Sequence, residues 1–521
     1  MKLNTASRTV NSIRNILTGF LGQFIQTILG FISRTVFIKF LAAEYLGISG
    51  LFTNILSILS LAELGVGSAI IYALYKPLAE RNEKELTVLM RFYSKTYRII
   101  GIIIGIIGLA LMPFLNIIIK NTPNINENIQ VLYLFYLFNT VITYFYSYKT
   151  SIIIADQKNY ISSIVSYLIS IVQTILQIFV LVITRNFMVY LSVQAVCSII
   201  YNLIISKIAD KMYPFLKSKT KDKLDKKNKA SLIKNIKSLM IVKLSGVLVN
   251  NTDNMIITYF SGLTSVGMYS NYTLLTGIIN TVLSQIFGGI TASVGNLNAK
   301  ESKERQREFF DIMNFANFWL FGFSSICIIL LINDVIRVWL SDEYVLPINI
   351  AIIVAVNFYM VGMQNAVWTF KNTMGLFGYG RYLLLVTATI NLILSIVLGN
   401  LLGLFGILLA TAIARILTNT WYDPYAVFKY GLGLKASKYF IKYIRYLLII
   451  ILSLLISYYL SRFIYVDSTV KLILKIIICA VTSNLVFLVC LFKTREFNYF
   501  KTIIFSFYNK TLLKVKESIF I

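Results

Sequence analysis

The chain has 521 residues, 57% hydrophobic and 14% charged, with a mean hydropathy of +0.74. Soluble chains carry about 25% charged residues, so a soluble globular enzyme is excluded. Lysine and arginine number 49 against 22 acids, a net charge of +27, and there is no histidine. Imidazole bases, Ser-His-Asp triads and histidine metal sites are therefore excluded as well. Cys197, Cys327, Cys479 and Cys490 lie far apart in apolar stretches. They read as small buried hydrophobes, not as a disulfide framework or a zinc site. No catalytic residue, metal or cofactor is expected.

A membrane-spanning helix needs roughly 20 mostly apolar residues. Apolar segments bounded by charge, Gly, Pro or Asn predict fourteen spans, near 16–40, 46–75, 97–119, 130–150, 161–183, 188–208, 239–260, 270–294, 315–333, 348–370, 382–400, 403–421, 445–465 and 470–492. The first follows Lys2, Arg8 and Arg14 and contains Gln23, Gln26 and Arg34. It is too long and too polar for a signal-peptide core and reads as a retained helix. With the N-terminus inside, 40 of the 49 basic residues fall in inner segments, five in outer loops, and four (Arg34, Lys39, Arg415, Lys475) within spans. The positive-inside rule then places both termini in the cytoplasm, and the basic charge reads as topology, not as a nucleic-acid surface. The richest inner segment, with Lys217, Lys219, Lys221, Lys223, Lys226, Lys227 and Lys229, is a solvated linker or an anionic-lipid contact. After Lys493, Phe497, Phe500, Ile504 and Phe507 recur at helical spacing among lysines, as in a helix lying on the inner membrane surface.

Shifting the sequence by 220 residues lays it on itself. Ile13-Arg14-Asn15-Ile16 falls on Ile233-Lys234-Asn235-Ile236, Phe40 on Phe260, Gly47 on Gly267, Thr53 on Thr273, Ile58 on Ile278, and the loop from Ala79 on that from Ala299. Each copy holds six spans, an even number, so the copies share one orientation and relate by an axis along the membrane normal. The expected fold is an all-α integral membrane protein of about fourteen transmembrane helices. An N-terminal six-helix lobe takes 1–210, a basic cytoplasmic linker 211–234, a C-terminal six-helix lobe 235–430, two extra helices 431–492 and a basic amphipathic tail 493–521.

Gly19, Gln23, Gln26, Gly30 and Ser33/Arg34 share one face of the first span. Their shifted counterparts are Leu239, Lys243, Gly246, Asn250 and Asp253/Asn254. Polar stripes are costly against lipid, so both should face protein or a wet cavity between the lobes; the alternative is interhelical hydrogen bonding alone. Arg34 suits a phosphate, its planar fork matching two oxygens, or else pairs with Asp253 or Glu63. Asp253 either binds a coupling proton or cation or latches the lobes, with Glu63 the other candidate acid. Arg415 reads as near the middle of the twelfth span, Lys39 and Glu44 as interfacial anchors, and Lys243 as a positive charge at the inner mouth. Gly101, Gly105 and Gly108 form a small-residue packing face.

Leu61-Ala62-Glu63-Leu64-Gly65-Val66-Gly67-Ser68-Ala69 running on to Tyr75-Lys76-Pro77-Leu78, Asn251-Thr252-Asp253-Asn254-Met255-Ile256-Ile257 and Val266-Gly267-Met268-Tyr269-Ser270-Asn271-Tyr272 resemble the polysaccharide transporter branch of the multidrug/oligosaccharidyl-lipid/polysaccharide (MOP) flippase superfamily. The resemblance implies a non-enzymatic flippase in a bacterial cytoplasmic membrane. It would move undecaprenyl-diphosphate-linked oligosaccharide repeat units outward by alternating access, for capsule, exopolysaccharide or a related polymer. It implies a V-shaped cavity lined partly by the first and seventh helices, with Arg34 matched to the family's basic cavity residues. On this reading Arg34, Gln23, Gln26, Asn250, Lys243 and Arg415 bind substrate, while Asp253 and Glu63 serve as coupling or latch residues. Partners would be the polyprenyl diphosphate substrate, membrane lipids and polysaccharide synthase or polymerase components, with no nucleic acid. Competing readings are a multidrug exporter, which an acidic cavity would favour, a lipid II flippase, a membrane-embedded polymerase or glycosyltransferase, and a non-transporting scaffold. The glycosyltransferase needs catalytic groups on substantial outer loops, where Asp342-Glu343 is the sole acidic pair.

Overall fold

The computed structural model describes residues 8–63, 66–119, 125, 127–217, 252–376, 378–380, 382–464, 466 and 468–502. Among them every regular element is helical. In chain order the longer helices are α1 (Arg8–Phe40), α2 (Ala43–Leu59), α3 (Val66–Ala79), α4 (Glu83–Leu111), α5 (Ile129–Tyr144), α6 (Ser147–Ala155), α7 (Asn159–Thr184), α8 (Phe187–Met212), α9 (Asp253–Lys300), α10 (Lys303–Trp339), α11 (Ile348–Thr373), α12 (Leu383–Leu417), α13 (Asn419–Ala426), α14 (Ser437–Ser461) and α15 (Thr469–Leu491). Nine of the described helical stretches are long and apolar enough to cross a membrane, ten when the bent pair α5 and α6 counts as one span. The stretch Leu383–Leu432 holds the eleventh and twelfth expected spans, reversing at Gly403, whose φ of 58° and ψ of −138° leave the helix. A similar break at Gly262 (φ 82°, ψ 167°) divides α9. The expected second span is broken as well: α2 ends at Leu59, a 3₁₀ turn covers Ser60–Glu63, and α3 resumes at Val66. Most of the seventh span lies outside the described residues.

The chain forms two compact units, Met1–Ser270 and Asn271–Ile521. In the first, three helix starts are capped by an asparagine that precedes the apolar run. Asn82 accepts from the Glu85 N–H and donates back to the Glu85 carboxylate at the start of α4, and Asn128 and Asn186 cap α5 and α8. Each cap satisfies backbone donors that a helix end otherwise leaves open. Lipid tails are as apolar as leucine, so packing, not hydrophobic transfer, joins helices in a membrane. α4 follows that rule: Ile106 (64% exposed) and Leu109 (51%) point outward. Its glycines point inward, Gly101 against Tyr144 and Gly108 against Leu137 of α5. The expected glycine face is thus a helix-packing face.

The second unit packs around α10, whose Phe310, Phe318 and Phe321 are fully buried. Ser302 caps α10 by accepting from the Arg305 N–H at 3.4 Å. Phe318 stacks on Tyr446 of α14 at 4.2 Å. The tail departs from expectation within the described residues: Phe497 stacks on Trp319 and Phe500 on Phe315. These rings find aromatic partners on α10, whereas Ile504 and Phe507 lie outside the described residues. Cys197 and Cys479 are buried, and all four cysteines are unbridged.

Candidate functional site

In the first unit α1 lies along α7, with Gly22 against the Tyr167 ring. The polar stripe occupies another side. A Cβ added at Gly19 or at Gly30 would meet nothing within 4 Å, Gln23 is exposed and Gln26 half-buried. Among the described residues of this unit, the stripe is therefore not consumed by helix packing.

Arg34 closes the stripe. Its Nη1 donates to Ser270 Oγ at 3.1 Å, and the Ser270 hydroxyl donates in turn to the Gly267 carbonyl at 2.6 Å. Among the described residues that is the one hydrogen bond Arg34 makes, and no carboxylate lies within ion-pair distance of it. A guanidinium carries five N–H donors in a planar fork, so most of its donor capacity remains available. The pairing with Asp253 or Glu63 weighed from sequence is not made. Glu63 instead accepts from Tyr97 Oη at 3.1 Å, and Asp253 opens α9, where a carboxylate favours the positive end of the helix dipole.

Ser270 is positioned by a reciprocal crossing. A Cβ on Gly47 would fall 2.1 Å from the Leu263 carbonyl oxygen, and one on Gly267 would fall 2.1 Å from that of Ala43. Glu44 Oε1 accepts from Thr264 Oγ1 at 3.0 Å, across a separation of 220 residues. The same shift carries Ala43 to Leu263 and Gly47 to Gly267, so equivalent residues of the internal repeat meet each other. Residue i touching j′ while j touches i′ is the signature of a two-fold contact, so a local two-fold axis passes between the starts of α2 and the second half of α9. Glu44 is thereby a contact residue of this crossing, not only an interfacial anchor. Gly47→Ala and Gly267→Ala should each cost about 1–3 kcal/mol by overpacking. In the double variant the costs should sum to less than the two singles, since one separation relieves both clashes. Thermal unfolding in detergent measures this; strictly additive losses would show two independent contacts.

The remaining expected residues are dispersed. Lys243 and Asn250 lie outside the described residues. Arg415 belongs to the second unit and is half-buried in the last turn of α12, just before the helix breaks at Thr418 (φ −127°, ψ −94°). Sequence reasoning did not find Ser270, although it lies in one of the runs singled out there.

Two buried charge clusters in the second unit were also missed. Asp334 of α10 binds Lys475 of α15 at 2.5 Å and Arg337 at 2.7 Å. Asp423 of α13 binds Lys371 of α11 at 2.6 Å and accepts from Trp368 Nε1 at 3.0 Å. Lys475 was visible as an unexplained charge within a span, and Asp334 lay one residue past the predicted end of another. Among the described residues no group of three or more Cys, Asp or Glu could hold a metal ion.

The family model for polysaccharide biosynthesis proteins matches residues 12–291, more than half of the chain. No curated protein sequence matches it. Among solved structures the chain is similar to the lipid II flippase MurJ in an inward closed conformation, with TM-score 0.65, 16% identity, and coverage of 91% of this chain and 98% of that one. It is similar to a multidrug resistance MATE family transporter of the MOP superfamily, inward-facing, with TM-score 0.53, 14% identity and coverage of 77% and 94%. It is also similar to the Vibrio cholerae MATE transporter VcmN, with TM-score 0.51, 12% identity and coverage of 80% and 96%. At these identities the likeness is one of fold. The chain belongs to the polysaccharide biosynthesis protein family, and its fold is that of the MurJ and MATE transporters it resembles.

Proposed function

We propose that the protein is a flippase moving polyprenyl-diphosphate-linked oligosaccharide repeat units across a bacterial cytoplasmic membrane by alternating access. The observation that carries this reading is Arg34, a half-buried guanidinium within a spanning helix, with one hydrogen bond, no acidic partner among the described residues and an unpacked polar face below it. An unpaired cation in a membrane helix is costly, and a diphosphate supplies the bidentate anion its fork matches. A cationic drug would be repelled there. In this reading Gln23 and Gln26 offer hydrogen bonds to the sugars, while Lys243, Asn250 and Arg415 serve further along the path. Asp253 and Glu63 remain the groups proposed for a coupling ion.

The test is initial-rate flipping of a fluorescent lipid-linked oligosaccharide in proteoliposomes. Movement well above that of protein-free liposomes supports the flippase. Equal rates would leave a scaffold for synthase or polymerase components, and export of a cationic dye instead would mark a multidrug exporter.

Two further outcomes follow from the same reading. In a cysteine-free background, cysteines at Gln23 and Gln26 should react with a polar thiol reagent while one at Ile28, off the stripe, stays inert; the reverse pattern would make the stripe structural. Reporter fusions at Thr122, Asp342 and Asp467 should read outside, with both termini in the cytoplasm. An inside reading at two of these would overturn the orientation.

A further inference from the structure

Glu127 lies on the connector between α4 and α5, next to the Asn128 cap. Its carboxylate holds two other helices. Oε2 accepts from the Tyr45 hydroxyl of α2, and Oε1 accepts from the Phe187 N–H in the first turn of α8 at 3.3 Å. An anion is favoured at that end of a helix. The Tyr45 and Phe187 rings also meet edge to face at 5.0 Å. One side chain therefore joins the starts of α2, α5 and α8.

Both helices that Glu127 ties support the Arg34–Ser270 contact. On the α8 side, the Phe187 ring packs edge to face on Phe37 at 5.7 Å, and Phe37 lies one turn beyond Arg34 on α1. On the α2 side, Tyr45 stands among the residues of the repeat crossing. Ala43 packs against Gly267 and Gly47 against Leu263, and Glu44 accepts from Thr264. Ser270 follows Gly267 by one turn and donates to its carbonyl. The guanidinium and its hydroxyl partner thus belong to α1 and α9, whose neighbours α8 and α2 are clamped by one carboxylate. Every link is a packed contact or a hydrogen bond within the first unit. Contiguous networks of this kind carry coupling between distant positions.

We propose that Glu127 is a positioning residue for the phosphate site: by fixing α2 against α8 it sets the spacing of Arg34 from Ser270, without touching the substrate. The inference rests on the flippase reading and on Arg34 as its phosphate-binding group. A carboxylate suits the task because each oxygen takes one donor. A glutamine in its place offers one acceptor oxygen to two donors.

Initial-rate flipping of the fluorescent lipid-linked oligosaccharide, by Glu127→Gln and Tyr45→Phe at equal amounts of folded protein, tests the proposal. Each variant should lower the rate roughly tenfold, the scale of one hydrogen bond to a charged group. Tyr45→Phe keeps the ring contact with Phe187 and loses the hydroxyl alone. Both variants break the same bond, so the double variant should fall no further than the slower single; additive losses would refute a shared action. A second readout needs no transport. In a cysteine-free background Glu44→Cys and Thr264→Cys should form a disulfide under mild oxidant, and more slowly once Glu127→Gln is added, with an unchanged gel-filtration profile. A residue that only stabilised the fold would leave that rate unchanged. Wild-type flipping in both single variants, or an unchanged rate of disulfide formation, would overturn the positioning role and leave the flippase reading intact. A wild type no faster than protein-free liposomes would instead sink the flippase reading and the phosphate role with it, the disulfide rate then deciding whether Glu127 clamps the crossing. If Glu127→Gln does not fold, Tyr45→Phe decides.

Discussion

Arg34→Ala is expected to abolish measurable flipping in proteoliposomes at equal amounts of folded protein. Removing one partner of a buried, hydrogen-bonded charge pair costs about 2–5 kcal/mol, roughly 30-fold to several thousand-fold in rate if the loss falls on the transported state. Arg34→Lys should keep a fraction of the rate, since the charge survives while the planar fork is lost. Ser270→Ala should be milder. It removes one neutral acceptor and leaves the charge, a change of about 0.5–1.5 kcal/mol. That order, alanine at Arg34 far below lysine and Ser270→Ala near the wild type, separates phosphate binding from a purely structural role. A well-folded Arg34→Ala protein flipping at the wild-type rate would defeat the assignment and move the phosphate site toward Arg415 or Lys243.

The same geometry gives the proposed cycle its physical content. A diphosphate crossing a low-dielectric region needs a fixed cation to offset its desolvation. Ser270 is a weak partner for Arg34, held by the Gly267 carbonyl on the helix that also carries the Gly267 contact with α2. A substrate phosphate would outcompete the hydroxyl for the guanidinium and release it. Binding at Arg34 is thus tied to the fit of the α2 and α9 crossing one turn away. Asp253→Asn discriminates the coupling roles: a loss as deep as that of Arg34→Ala marks the coupling-ion site, whereas a small loss leaves that role to Glu63.

The helical membrane architecture was legible because lipid permits little else: every backbone group must be satisfied within its own segment. The polar face of α1 was legible for the same reason, since Gln23, Gln26 and Arg34 stand out against apolar neighbours. The partners of charges were not legible, because they come from remote chain positions. Arg34 meets Ser270 across 236 residues and Lys475 meets Asp334 across 141, and no local pattern encodes such meetings. The Glu44–Thr264 contact is an exception in principle. On a two-fold axis a residue meets its own repeat equivalent, so the 220-residue shift already contained that pair. Helix breaks at Gly262 and Gly403 were only partly legible, since the positive φ that glycine permits there does not distinguish a sharp turn from the close helix packing glycine also permits.

Asp423 carries the other large expected effect, on stability. Its carboxylate is 5% exposed, and it holds the Lys371 ammonium, itself 16% exposed, and the Trp368 indole N–H. Asp423→Ala leaves a buried ammonium and a buried donor without their acceptor. Breaking one side of a buried ion pair costs about 3–5 kcal/mol, so the variant should lose most of its thermal stability in detergent. Lys371→Met alone should cost less, because the orphaned Asp423 still accepts from the Trp368 indole N–H. The combined Lys371→Met, Asp423→Leu variant should recover most of the loss, since two apolar side chains of similar volume replace both charges at once. With Asp423→Leu as the matching single variant, a coupling energy near zero would show that the pair contributes nothing beyond its separate contacts. If the combined variant is as stable as the wild type yet transports normally, the pair joins α11 to α13 only as structure. A stable variant that no longer transports would instead give the pair a part in the cycle, and Lys371→Arg, which keeps the charge, should then restore more activity than Lys371→Met.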